Sequence, residues 1–478
     1  MEKKRKESGP VPTAPSLTTL NMSSMVTLAE KNPDGDFGEY DPFAHRETTH
    51  QYSNMGALAH LLKGSLGSGI LAMPLAFKNG GLVFGAIGTV LIGIVCTHCV
   101  QLLVQSAQKL CVRRRVPALD MSTTAEAAFL TGPALLRPYA TVARRFVTTA
   151  LFCTYYFGLT AYVVFMAESI KQVVDHYAGK PDIDELSYTR IYIALLVLIL
   201  IPLSMIRKLK HLVPFSMVAN LCIVVGFSIT LYYLFDQVND PATRSYGTSL
   251  KGLPIFFATV LFAMEGIGTV LPVENTMREP KRLIGWNGVL TIAMVVVVVL
   301  FAGMGFFGYL RYGEDVKGSI TLNLPAEEIP AQAVKLLLAV AILFTYPLQM
   351  YVAIGIVWDQ LLPHLRTSLH EVAQITMRVV MVLGTIVTAL AVPKLGPVIS
   401  LIGALFFSIL GLFIPAVVDT ATEWVQDGGA CRKNVYLFVK NGILVVVSLL
   451  SVVAGSYSSV LDIISAYGEG ANPANPSS

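Results

Sequence analysis

From about residue 55 onward the chain is a series of long apolar stretches separated by short polar or basic ones. The apolar stretches fall at 55–77, 80–105, 146–174, 189–206, 212–235, 252–274, 286–310, 331–357, 373–392, 396–419 and 435–457. A hydrocarbon core roughly 30 Å thick is crossed by about 20 apolar residues in a helix. Eleven such stretches in series predict an all-α polytopic membrane protein with eleven transmembrane helices. Residues 1–50 are polar, rich in Pro, Ser, Thr, Asp and Glu, and carry no sustained period. They predict a disordered cytosolic tail, followed by a transmembrane domain over 51–460 and a short extracytosolic tail over 461–478.

Composition agrees with that pattern. Of 478 residues 54% are hydrophobic and only 14% charged, with a mean hydropathy of +0.62, where a soluble chain carries about a quarter charged residues. Lysine and arginine counts set the orientation. With the N-terminus in the cytosol, the inward loops hold sixteen and the tail six more, against ten in the outward loops. The opening MEKKRK then reads as inward-facing charge that sets topology rather than as a nucleic-acid signal, and lipid is the expected partner. Cys96, Cys99, Cys153 and Cys222 sit in or beside apolar stretches, and Cys111 and Cys431 in basic loops. No outward loop holds a cysteine, so no extracellular disulfide is expected.

Two stretches are poor helices. GSGILAMP (67–74) lies in the first span and GIGTVLP (266–272) in the sixth. Both read Gly-x-Gly, a short apolar run, then Pro. Glycine in a helix interior costs about 1 kcal/mol relative to alanine, and proline donates no backbone N–H and clashes with the preceding turn. The two lie five spans apart, hence in opposite orientations. Matching interruptions in two inverted halves point to a transporter binding site. Backbone freed at such breaks must find a partner. A zwitterionic amino acid supplies one, its carboxylate taking N–H groups at a half-helix start. Gly67, Ser68 and Gly69 are the candidate cradle, and Gly266 and Gly268 are their counterparts. Close helix packing through small residues explains the same glycines equally well.

Glu265, in FAMEGIGTVLP, is a carboxyl near mid-membrane, where charge is costly and usually functional. Counting about 1.5 Å per residue from opposite ends, Ser68 and Glu265 each lie about 20 Å deep. Glu265 is a candidate for substrate binding and for proton coupling, or for a protonated group capping the break. His60 shares a helix face with Gly64, Gly67 and Ser68. It is a candidate proton carrier near neutral pH, or a histidine hydrogen-bonded to a neighbouring helix. Lys63 falls on an adjacent face without a clear role. The aromatic patches CTYYFGLTAYVVF (153–165) and LFTYPLQMYV (343–352) read as packing or as pocket wall, and Thr345 in the second is a further candidate for substrate binding. No nucleophile–base or metal-ligand spacing stands out, so neither an enzyme nor a resident metal or cofactor is expected.

HLLKGSLGSGILAMPLAFKNGG, FAMEGIGTVLPVENTMREP, GSITLNLP and FTYPLQMYV together resemble the proton-coupled amino acid transporter family of the amino acid/auxin permease group. The resemblance runs from about His60 to about Tyr457. It implies the fold of the bacterial leucine transporter, a five-plus-five inverted repeat with broken spans 1 and 6. It implies symport of a proton with small neutral amino acids such as glycine, alanine and proline, and proton coupling through the histidine of HLLKG, here His60. The outward cysteines that vertebrate members pair into a disulfide are missing here. The membrane it implies is the plasma membrane or an endosomal, lysosomal or vacuolar one. Two other functions remain open: an amino-acid-sensing receptor with little net transport, and a sodium-coupled symporter.

Overall fold

The computed structural model describes residues 40–46, 51–65, 67–179, 184–207, 209–236, 239–264, 266–424 and 431–471. It is all-helical, with no strand among these residues and one isolated bridge between Tyr52 and Met277. Ten helical stretches among them are long and apolar enough to cross a membrane. In addition, α1 (Asn54–Ser65) and α2 (Ser68–Gly80), each shorter, lie end to end in sequence.

Next come α3 (Leu82–Arg114), α4 (Met121–Thr131) and α5 (Ala140–Ala178). They are followed by α6 (Glu185–Leu195), α7 (Val197–Ser204) and α8 (Leu209–Asp236). The second short pair is α9 (Gly252–Ala263) and α10 (Ile267–Thr276). Long helices resume with α11 (Val289–Tyr312), α12 (Ile329–Leu361) and α13 (His370–Ala391). The chain then runs through α14 (Leu395–Ile402), α15 (Ile414–Glu423), α16 (Cys431–Leu450) and α17 (Ser456–Ala471). Widened π turns at Gly403–Phe407 and Ile409–Phe413 join α14 to α15, and another at Ser451–Gly455 joins α16 to α17.

Two packing groups position the site. In one, α2 lies against α9 and α11, and α11 against α3. Small residues let the backbones close up there. A Cβ on Gly305 would come 2.3 Å from the Phe77 ring, and one on Gly308 2.3 Å from Pro74, and Phe77 is fully buried. In the other, α12 packs along α8 and α5.

The helices run past the apolar stretches that predict them. The second stretch continues through Gln108 and Arg113, good helix formers whose heads reach polar partners. Arg113 donates to the Thr422 carbonyl (2.7 Å), and Lys109 pairs with Glu423. Cys111, expected in a loop, is therefore buried in the last turns of α3. Helix α4 was not expected from hydropathy. Its start is fixed by a capping box, in which the Asp120 carboxylate accepts from Thr123 N (2.7 Å) and Thr123 Oγ1 accepts from Asp120 N (3.0 Å). Cys96, Cys99, Cys111, Cys153 and Cys222 are free thiols.

Candidate functional site

The four short helices meet at their inner ends. α1 ends at Ser65, and α2 starts at Ser68 behind Gly67, whose backbone (φ −114°, ψ −146°) has left the helix and which no side chain caps. α9 ends at Ala263, and α10 starts at Ile267 behind Gly266. Gly266 sits at φ +153°, a region that L side chains rarely adopt, so only glycine turns the chain there without strain. No side chain caps this start either. The Gly266 carbonyl instead accepts from Thr269 N (3.0 Å) and Thr269 Oγ1 (2.7 Å).

The two junctions touch. A Cβ on Gly69 would lie 2.7 Å from the Ala263 Cα, and one on Gly266 would lie 2.9 Å from Ser65 Oγ. One on Gly64 would lie 3.1 Å from Thr269 Oγ1. A Cβ on Gly67, by contrast, would meet nothing within 4 Å. Gly69 is therefore held by backbone packing, while Gly67 looks onto open space. Two uncapped helix starts thus lie side by side. Each presents first-turn N–H groups and the positive end of a dipole. This arrangement suits an anionic group such as a carboxylate.

The α5 helix closes one side. Tyr155 stands over Gly268, where an added Cβ would lie 2.8 Å from the phenol oxygen. Two turns further on, Ala161 and Phe165 share a cavity of about 10 Å³ with Ser68, Phe262, Ser319 and Leu395. A second cavity, of about 30 Å³, lies on the other side, lined by Ser65 and Gly266 with Leu61, Cys96, Val100 and Met294 among its apolar walls. A water needs roughly 10–15 Å³ of such space. Neither cavity holds an amino acid, so binding one requires the surrounding helices to part.

Of the candidates named from sequence, the structure brings Gly67, Ser68, Gly69, Gly266 and Gly268 together. Glu265 lies outside the described residues. His60 is exposed on α1, two turns before the junction, its ring 4.2 Å from that of Tyr52. Thr345 lies on α12 and gives its hydroxyl to the Ala341 carbonyl of its own helix (2.8 Å). Lys63 finds a partner that sequence did not suggest: its Nζ donates to Ser216 Oγ on α8 (2.8 Å).

Sequence reasoning also missed a buried ionic cluster at the end of α10. Arg46 donates to both carboxylate oxygens of Glu274 (3.1 and 3.0 Å), to the Glu274 carbonyl (2.9 Å) and to the Pro117 carbonyl (2.9 Å). Gln108 of α3 donates to the same carboxylate (2.9 Å). Beside it Tyr52 N donates to the Thr276 carbonyl (2.8 Å), and Arg278 N donates to the Tyr52 carbonyl (2.9 Å). The signal in the sequence was a lone arginine ahead of the first span and a glutamate at the end of the sixth. Nothing in either stretch says that they meet.

The family model for transmembrane amino acid transporter proteins matches residues 50–461. A Drosophila melanogaster protein, the proton-coupled amino acid transporter-like protein pathetic, is 38% identical over 434 residues, 91% of this chain and 90% of that one. Vacuolar amino acid transporter 4 of Saccharomyces cerevisiae is 31% identical over 312 residues, 63% of this chain and 40% of that one. Among solved structures, the inward-facing conformation of Mhp1 superposes with a TM-score of 0.54 at 14% identity, covering 92% of this chain and 94% of that one. These likenesses make the protein a multi-pass membrane transporter rather than an enzyme, and the chain belongs to the transmembrane amino acid transporter family.

Proposed function

We propose that the protein is a proton-coupled symporter of small neutral amino acids, of the glycine, alanine and proline type. The observation that carries this reading is the meeting of two uncapped helix starts, at Gly67–Gly69 and Gly266–Gly268. Their N–H groups take the substrate carboxylate, and the carbonyls ending α1 and α9 take its ammonium. A small side chain is what the close approach of Tyr155 to Gly268 favours. In this reading α1 with α2 forms one broken span and α9 with α10 another, which brings the count to eleven in a five-plus-five inverted repeat of the bacterial leucine transporter type. The N-terminal tail and the Arg46–Glu274 end lie in the cytosol, and the C-terminal tail outside it. Glu265 and His60 carry the proton, and Thr345 contributes from α12. The membrane is a plasma membrane or an endosomal, lysosomal or vacuolar one, the yeast relative being named as vacuolar.

The proton suffices as driving ion. One charge crossing about 100 mV releases about 2.3 kcal/mol, and one pH unit adds about 1.4 kcal/mol. Together they sustain a substrate ratio of a few hundred. The test is uptake of labelled glycine, alanine and proline with currents recorded at controlled pH. Uptake rises with acidity on the extracytosolic side and carries positive charge inward. Currents that follow sodium and ignore pH would replace the proton with sodium. Binding without flux would make the protein a sensor.

A further inference from the structure

We propose that Glu168 and Gln172 of α5 are positioning residues that hold the outer cover of the transport path shut over Ser68. The inference rests on the reading above in taking this end of the bundle as extracytosolic.

The cover consists of the segment 316–324 and the first turn of α14. Ser319 from the segment and Leu395 from α14 both line the small cavity above Ser68. The two parts touch backbone to backbone: a Cβ on Gly318 would lie 2.6 Å from Gly396 N and 2.9 Å from Leu395 Cβ. Their fastening comes from α5. Glu168 Oε1 accepts from Leu395 N (3.1 Å), and Gln172 Nε2 donates to the Leu322 carbonyl (3.2 Å). Leu395 opens α14, so its N–H has no acceptor within the helix.

Ala161, Phe165, Glu168 and Gln172 fall at i, i+4, i+7 and i+11 and share one face of α5. One face thus lines the cavity below and grips the cover above. From α12, the buried Lys335 adds a bond from Nζ to the Leu324 carbonyl (2.9 Å), at the end of the same segment. Among the neighbouring charges, Lys171 is engaged by Glu185 and Thr189 (3.1 and 3.2 Å), and Lys317 is exposed on the cover itself. The backbone N–H of Leu395 is therefore what the Glu168 carboxyl holds. The π turns after α14 supply the bend at which its start swings away once that grip is lost.

The experiment reads the cover directly. In a variant whose six native cysteines are replaced, Ala161→Cys places a thiol beneath the cover. A membrane-impermeant thiol reagent is applied to each side of proteoliposomes in turn. Losing one hydrogen bond worth about 1 kcal/mol makes Glu168→Ala label about fivefold faster from the extracytosolic side. Glu168→Gln keeps an acceptor oxygen and stays near the parent rate, while Gln172→Ala speeds labelling through the other attachment. Parent rates in both Glu168→Ala and Gln172→Ala would overturn the proposal. So would Glu168→Gln labelling as fast as Glu168→Ala, or labelling confined to the cytosolic side. The readout needs neither substrate nor proton gradient, so a failed pH test of uptake would leave it standing.

Discussion

Arg46, from the segment ahead of the first helix, and Glu274, from the last turns of α10, form a two-pronged ion pair whose side chains are 4% and 2% exposed. The pair fastens the entry of the chain to the lower half of the sixth span, 228 residues later. Its remaining lone pairs and protons are taken by Gln108 and the Pro117 carbonyl, which is what makes so buried a pair tolerable.

Removing one partner leaves the other charged and buried. Arg46→Ala or Glu274→Ala is expected to cost about 3–5 kcal/mol, whereas the double change Arg46→Met with Glu274→Leu costs clearly less, because no lone charge remains. Thermal unfolding of the purified protein in detergent checks both. Equal losses for the single and double variants would show the pair contributing nothing specific.

The two cradle glycines are expected to fail in different ways. Gly69→Ala drives a Cβ to 2.7 Å from the Ala263 backbone. The resulting overpacking costs about 1–3 kcal/mol and separates α2 from α9. Gly67→Leu meets open space, so folding is kept while uptake falls more than about tenfold, the equivalent of about 1.4 kcal/mol of lost binding. Expression and melting temperature, measured alongside uptake, separate the two. Normal uptake with Gly67→Leu would mean that the open space beside Gly67 takes no part in substrate binding.

At the second junction, Gly266→Ala combines two penalties. The backbone at φ +153° strains any side chain, at about 1–3 kcal/mol, and the new methyl lies 2.9 Å from Ser65 Oγ. Adding Ser65→Gly relieves the contact but not the strain. The double variant should therefore recover part of the stability lost by Gly266→Ala and no more. Full recovery would show that the contact, not the backbone angle, is what selects glycine there.

The fold was legible because a bilayer forces each crossing to declare itself as an apolar run. The two junctions were legible because glycine and proline mark both of them. Helix α4 was not, since its start depends on a polar capping box and not on hydropathy. The partners of the charged residues were not legible either. Lys63 and Ser216 are 153 residues apart, and only the fold brings them together. Nothing in the sequence around Glu168 says that the start of α14 lies against it. Hydropathy reports depth, and it is silent about which helix lies next to which.

Neither Gly67 nor Gly266 brings a serine, threonine or aspartate to close the helix that follows it. Such residues are the preferred way to close a helix start. Here the chain leaves two ends unfinished at the same spot, deep in a setting where water is scarce. In the proposed function, the solute that docks there completes both at once, so that for the duration of its passage the cargo serves as a missing residue of the protein that carries it.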